Sequence, residues 1–332
     1  MSEDLRILVT GGAGFIGSNL VEALLARRCR VTVLDNFATG SMENLRPFLD
    51  DPRFRLIVGD IRDLDRCREA VKDAEYVLHE AALGSVPRSI NDPMTSTAVN
   101  VLGTVNMLYA AKEAGVKRFV YAASSSAYGD SPALPKVEDV IGKPLSPYGI
   151  SKYAGELFAA NFHDLYGLET VGLRYFNVFG RRQKPDGAYA AVIPKFIGSL
   201  LRHESPVING DGSNSRDFTY VDNVIRANLL ALETANAEAL DQVYNVACGG
   251  RLSLNDLFAA LREDLSAFDP EIAKVAPKYG PDRPGDIAHS LASIEKAKRL
   301  LGYLPAYSAR EGLKETARWY WENRRGLLRR SA

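Results

Sequence analysis

A tyrosine and a lysine stand four residues apart in the stretch SPYGISK, Ser146–Lys152. On a helix that spacing puts Tyr148 and Lys152 on one face. The pair suits proton transfer. A free phenol ionises at about pH 10, and each unit of lowering requires about 1.36 kcal/mol, which a nearby ammonium and a cofactor cation in a partly dry cleft can supply. Tyr148 is therefore a candidate base, with Lys152 as the cation that favours its ionised form. Upstream, AASSSAYG ends an apolar run, where a parallel sheet presents catalytic groups. Ser124 there can relay or share the proton of a substrate hydroxyl with Tyr148. Ser126 reads as an ordinary turn serine.

The elements that must hold these residues are legible around them. Ser146 is a suitable N-cap and Pro147 suits the first helical position, which starts a helix just before the reactive pair. Gly149 costs about 1 kcal/mol of helix propensity relative to alanine, and suggests that a ligand approaches the backbone there. The runs RILVT, RVTVLD, FRLIVGD, AEYVLH, RFVYAAS and TVGLRYF read as strands. Helical stretches over Ile16–Arg27, Thr95–Ala114 and Pro147–Leu165 lie among them. Continuous apolar strands alternating with helices predict an α/β fold with a doubly wound, Rossmann-type parallel sheet.

After Gly180 the polar loop GRRQKPDGAY changes the pattern. The expected organisation is a nucleotide-binding domain over residues 1–180 and a smaller C-terminal substrate lobe over 181–332, with about 217–247 returning to the first domain. Ser308 and Glu311 form a capping-box opening for a terminal helix.

The first strand runs into TGGAGFIGSNL, where Gly11, Gly14 and Gly17 recur before a helix. Such glycines permit a tight turn, close approach of backbone to a pyrophosphate, and near contact between helix and strand, while the helix N-terminus supplies N–H groups. Asp35 ends the second strand, where a carboxylate accepts from ribose hydroxyls and repels a 2′-phosphate; this favours NAD over NADP. Asp60 in GDI either holds the adenine edge or is a plain surface aspartate.

The 332 residues carry 41 basic and 41 acidic side chains, so the global charge favours neither nucleic acid nor an anionic membrane. The acidic N-terminus passes straight into a short apolar run, neither a secretion signal nor a membrane span, and the expectation is a cytoplasmic protein. Cys29, Cys67 and Cys248 are odd in number and far apart; they read as core fillers, not a disulfide framework. His79, His163, His203 and His289 have no ligand-like spacing, so no metal is expected. The basic tail RRGLLRR reads as a solvated end.

Jointly, TGGAGFIG, LDNF, GDI, HEAA, SSSAYG, SPYGISK, LRYFNVFG, NGDGSNSRDFTYVDN and DRPGDIAHS resemble the extended short-chain dehydrogenase/reductases, and more narrowly the UDP-hexose 4-epimerases. AALGSVPRSINDP and FNVFGRRQKPDGAYAAVIP are similar to the subgroup acting on N-acetylated UDP-sugars, the UDP-N-acetylglucosamine 4-epimerases. The resemblance implies that Tyr148 takes the proton of the sugar 4-hydroxyl as hydride moves from C4 to NAD. The 4-keto sugar then turns over and receives the hydride on its other face. Lys152 would hold the nicotinamide ribose, and Tyr175 would pack by the nicotinamide.

Further cofactor contacts implied are Phe15, Ile16, Asn36, Thr39, Gly40, Ile61, Ala81 and Ala82. Asn177, Ala191, Val192, Lys195, Asn209, Arg216 and Arg283 match UDP-sugar positions, the arginines being suited to diphosphate charge. Gly84, Ser85, Ser125, Gln183, Ala191 and Ser290 would surround the hexose. Related 4,6-dehydratases carry an Asp-Glu pair where Ser125 and Ser126 stand, so elimination lacks its acid and base. A UDP-uronic acid or non-acetylated hexose epimerase, a non-catalytic NAD sensor and an NADH-releasing dehydrogenase are the other readings. The family implies a homodimer through the helices beginning near Thr95 and Pro147.

Overall fold

The computed structural model describes residues 4–185, 190–281 and 289–328. The first half alternates β1 (Arg6–Thr10), α1 (Phe15–Ala26), β2 (Arg30–Asp35), β3 (Phe54–Val58), α2 (Leu64–Val71) and β4 (Tyr76–His79). There follow α3 (Val86–Asn91), α4 (Pro93–Thr97), α5 (Gly103–Glu113), β5 (Arg118–Ser124), α6 (Pro147–Tyr166) and β6 (Glu169–Tyr175). The remainder is made of shorter pieces: β7 (Val178–Phe179), α7 (Val192–Leu201), β8 (Val207–Asn209), β9 (Ser215–Arg216), β10 (Thr219–Tyr220) and α8 (Val221–Glu233). Last come β11 (Gln242–Val246), β12 (Leu252–Ser253), α9 (Leu254–Ser266), β13 (Lys278–Gly280), α10 (Glu295–Leu301) and α11 (Ala309–Leu328).

Seven strands form one parallel sheet in the order β11-β6-β5-β4-β1-β2-β3. Strands β1 and β5 are buried along nearly their whole length, as strands covered on both faces must be. On one face, Leu20 and Leu24 of α1 pack with Val224 and Ala227 of α8; on the other, Cys67, Met107, Leu108 and Phe162 bring in α2, α5 and α6. Strand order reverses between β1 and β4, which opens a crevice at their C-terminal ends. Short pairs β7–β10, β8–β13 and β9–β12 make the smaller sheets.

Two local expectations change. The helix expected over Thr95–Ala114 is interrupted by a π turn at Ala98–Leu102 between α4 and α5. Inside it Asn100 accepts from the Leu83 N–H at 2.8 Å and donates to the Leu83 carbonyl and Ser151 Oγ, both at 3.1 Å. The widened turn thus ties the loop after β4 to α6, and such turns often accompany functional sites. Gly149 also has a different reason from the ligand approach inferred above. A Cβ there would stand 2.7 Å from the Ser126 carbonyl oxygen, so the space is filled by the chain's own serine turn. The glycine lets α6 press against the end of β5.

Candidate active site

The glycine loop shapes a groove at the crevice. Gly11 has φ +68°, and a Cβ on it would lie 2.8 Å from the Ala81 backbone; a Cβ on Gly17 would overlap the Gly11 carbonyl oxygen. Loop and helix therefore meet backbone to backbone. Gly14 is the N-cap of α1 and offers no side-chain acceptor to the N–H groups of the first turn. The groove encloses about 350 Å³ and is lined by Phe15, Ile16, Asn36, Thr39, Ile61, Ala81, Ala82 and Gly84, among others. Gly40 lies outside that lining and packs instead on Ala13, whose backbone a Cβ at this position would meet at 2.8 Å.

Asp35 closes the groove's far side. Its two oxygens accept from the Ala13 N–H at 2.9 Å and the Phe37 N–H at 2.7 Å. Burial raises its pKa, with the two amide bonds opposing. Each oxygen keeps a further lone pair for a ribose hydroxyl. Asp60 accepts from Arg62 and from Asn36 Nδ2 at 2.7 Å, and chiefly the guanidinium bonds hold it down to about 2. An adenosine ribose, a pyrophosphate over the first turn of α1 and an adenine beside Asp60 fit this lining.

The reactive side chains lie outside the groove's lining, at the end of β5 and the start of α6. Ser146 caps α6 by accepting from the Gly149 N–H at 3.1 Å, and Pro147 follows at the first turn. The Tyr148 N–H donates to Ser89 Oγ at 3.0 Å, which ties the helix start to α3. Ser124 Oγ accepts from the Ser126 N–H at 3.1 Å, and a side-chain hydrogen bond joins Ser124 to Tyr148. Lys152 Nζ donates to the Ala122 carbonyl at 2.8 Å. Burial lowers the lysine to about 8, while Glu80 and Glu156 favour its charge.

The tyrosine's pKa in the chain itself lies above the ordinary phenol value. Burial raises it, Ser124 opposes, and the Glu80 carboxylate adds to the rise. In the chain itself the Lys152 ammonium is turned to the Ala122 carbonyl. Glu80, which the sequence pattern did not single out, accepts from Tyr175 Oη at 2.7 Å. Asn100 was missed as well, and its only sequence signal is polarity inside an apolar helix pattern.

A second cavity, of about 260 Å³, lies among the smaller elements. Asn177, Gln183, Ala191, Val192, Lys195, Asn209 and Arg216 all line it. Ala191 is the N-cap of α7 without a side-chain acceptor, so first-turn N–H groups are available there. Asn177 Nδ2 donates to the Asp217 carbonyl at 2.9 Å, and Gln183 Nε2 to that of Val178 at 3.3 Å. Gln183 thus belongs to this cavity's wall.

Ser290 lies outside both linings, but its backbone pairs with Ser215 and Asp217 on either side of Arg216. The Asp217 carboxylate accepts from the N–H groups of Cys248, Gly249 and Ala292, which gathers three segments behind Arg216. Ser85 Oγ is engaged as the N-cap of α3, accepting from the Arg88 N–H at 3.3 Å. Ser125 stands half-buried in the turn after Ser124. Arg283 lies outside the described residues. Among the described residues no cluster of metal-ligating groups occurs, and no helix is long and apolar enough to cross a membrane.

Residues 7–247 match the family described as NAD dependent epimerase/dehydratase. A putative UDP-glucose 4-epimerase of Methanocaldococcus jannaschii is 39% identical over 96% of this chain and 99% of its own length. Among solved structures, UDP-N-acetylglucosamine 4-epimerase from Methanobrevibacter ruminantium M1, in complex with UDP-N-acetylmuramic acid, has TM-score 0.90 and 40% identity, covering 97% of this chain and 100% of that one. The UDP-glucose 4-epimerase of Thermus thermophilus, in complex with NAD, has TM-score 0.84 and 35% identity over 96% and 99%.

Proposed function

The chain belongs to the NAD dependent epimerase/dehydratase family, and from that premise we propose that it interconverts UDP-N-acetylglucosamine and UDP-N-acetylgalactosamine at C4. Membership makes it an NAD-dependent nucleotide-sugar enzyme; the choice of reaction and sugar is the proposal. NAD, when bound, accepts a hydride and returns it, so the overall reaction is redox-neutral. The chain's own residues do the rest. Tyr148 removes and returns the proton of the sugar 4-hydroxyl, with Ser124 as the hydrogen-bond partner that steadies its oxygen. Lys152 orients the cofactor ribose and keeps a positive charge near the phenol. Asn177, Lys195, Asn209 and Arg216 hold the uridine diphosphate, together with the first turn of α7.

The observation that carries epimerisation over elimination is the turn after Ser124. Ser125 and Ser126 occupy the positions where dehydration needs an acid and a base, and neither hydroxyl is suited to either task near neutrality. The N-acetyl preference is supported by the likeness to the M. ruminantium enzyme, and by the small size of Gly84, Ser125 and Ser290, the positions that the family resemblance assigns to the hexose. The likeness to UDP-glucose 4-epimerases favours the non-acetylated pair as the second reading.

The division into a dinucleotide-binding lobe and a UDP-sugar lobe is part of the same proposal. So is a homodimer, supported by the exposed apolar side chains Met94, Leu102 and Tyr109 in the α4–α5 region and Ile150, Leu157 and Phe158 on α6. Proton NMR of the purified protein incubated with UDP-N-acetylglucosamine, and separately with UDP-glucose, tests the proposal. Growth of UDP-N-acetylgalactosamine is expected; turnover of UDP-glucose alone would move the assignment to the second reading.

A further inference from the structure

The chain leaving β7 runs between the two cavities over residues 181–184, and each of the four is tied down. Arg181 donates to Asp222 of α8 at 2.6 Å, and its carbonyl accepts from Asn19 Nδ2 of α1 at 3.2 Å. Arg182 holds the left-handed backbone conformation, φ +67°, which is uncommon for any residue but glycine. Its half-buried guanidinium donates to the Ser18 carbonyl at 3.2 Å and to Glu22 at 3.0 Å, and lies 5.7 Å from the centre of the Phe48 ring. Gln183 lines the second cavity, while the Tyr320 hydroxyl of α11 donates to its carbonyl. Lys184 Nζ donates to the carbonyls of Thr39 at 3.0 Å and Gly40 at 3.4 Å.

Thr39, Gly40 and Phe48 belong to one segment, the chain between β2 and β3. It carries Asn36, Ala38 and Thr39 into the lining of the cofactor groove. Toward the glycine loop the segment is fixed at one point, since the Ser41 N–H and Asn44 Nδ2 both donate to the Ala13 carbonyl, at 3.0 and 2.9 Å. We propose that residues 181–184 are a strap that holds this segment against the groove, with Arg182 and Lys184 as positioning residues that set how long the dinucleotide stays bound. A ligand held in a groove leaves when a wall moves. Outward movement of the segment breaks both Lys184 bonds and draws Phe48 off the guanidinium, in addition to whatever contacts the dinucleotide itself loses, so the strap slows release. Slow release is what the epimerase reading requires, because a carrier that takes up hydride and returns it must not leave between the two steps.

The strap's effect on the cofactor needs no sugar and is tested without one. Protein loaded with radiolabelled NAD is chased with excess unlabelled NAD, and the label retained is followed in time. Arg182→Met should speed release by about tenfold, the size of one charge-assisted hydrogen bond in a partly buried place. Lys184→Met should speed it by about threefold, since that ammonium is exposed and screened. Lys184→Arg restores a cationic donor and should bring the rate back to that of the unaltered protein. Because Lys184 is exposed, the thermal melt of cofactor-free Lys184→Met should coincide with that of the unaltered protein. Unmoved release in Lys184→Met, an acceleration that Lys184→Arg fails to reverse, or a cofactor-free melt lowered along with retention would overturn the proposal. Should Arg182→Met fail to fold, the two Lys184 variants decide alone. Failure to epimerise any UDP-sugar would leave this chase intact and strike only at the function proposed above.

Discussion

The two cavities of this molecule are built from different materials. The cofactor groove is mainly a backbone construction: strand ends, a glycine turn, an uncapped helix start, and one carboxylate pinned by two amides. The second cavity is walled by side chains on short elements, and Asp217 gathers the segments behind Arg216. A backbone site tolerates little variation and recognises a constant ligand. A side-chain site can be re-cut residue by residue, which suits a family that shares one cofactor and differs in its sugars. Tyr148 and Lys152 stand on α6 beside β5, where Lys152 meets the Ala122 carbonyl, and the chemistry proposed for them is common to every substrate.

That contrast orders the expected effects. Tyr148→Phe should leave folding and NAD retention nearly intact and lower turnover by at least about 10²-fold, the loss typical of a positioned general base. Steady-state rates with thermal melts check this, and turnover within a few-fold of the unaltered protein would remove Tyr148 from its role. On the side-chain-built side, Ser290→Tyr should depress turnover of the N-acetylated pair by roughly tenfold to a hundredfold, an overpacking effect of about 1 to 3 kcal/mol. Activity on UDP-glucose should be spared. Equal loss on both pairs would mean that Ser290, bonded through its backbone beside Arg216, supports the loop and does not gate the sugar.

For the cofactor groove, Asp35→Ala should weaken NAD retention and narrow the preference for NAD over NADP, by about tenfold if one charge-assisted hydrogen bond and one repulsion vanish together. Mass spectrometry of retained dinucleotide and equilibrium titration of both cofactors measure it. The smallest effect concerns Asp60, whose folded pKa of about 2 lies below the value of 3.8 for a free carboxylate. Such a group stabilises the fold above its unfolded pKa and loses that contribution as pH falls through the folded one. Asp60→Asn should thus destabilise the cofactor-free protein by no more than about 1 kcal/mol at neutral pH, because the pair with Arg62 is largely solvent-screened. The difference should disappear between about pH 4 and pH 2 in denaturant melts. A difference that persists at pH 2 would mean that Asp60 acts through shape.

Much of the sheet was legible because its strands are continuous apolar runs, and β1, β2 and β5 occupy the very residues read as strands. The start of α6 was legible too, since Ser146 and Pro147 act locally. What escaped the sequence depends on partners distant along the chain. The π turn at Ala98–Leu102 answers to Leu83 and Ser151. Gly149 answers to a carbonyl in the preceding turn, and Glu80 acquires its meaning from Tyr175, 95 residues later. Periodicity reports which face of an element is apolar and is silent on which buried polar group will meet another.

The central claim is that Tyr148 moves only the hydroxyl proton, while the carbon-bound hydrogen at C4 leaves and returns as hydride without meeting solvent. Epimerisation of UDP-N-acetylglucosamine in deuterium oxide, followed by NMR, tests it most directly. The account predicts UDP-N-acetylgalactosamine carrying protium at C4, with no build-up of NADH. Deuterium at C4 of the product would mean that a base of the protein exchanges that hydrogen with water, and would contradict the account.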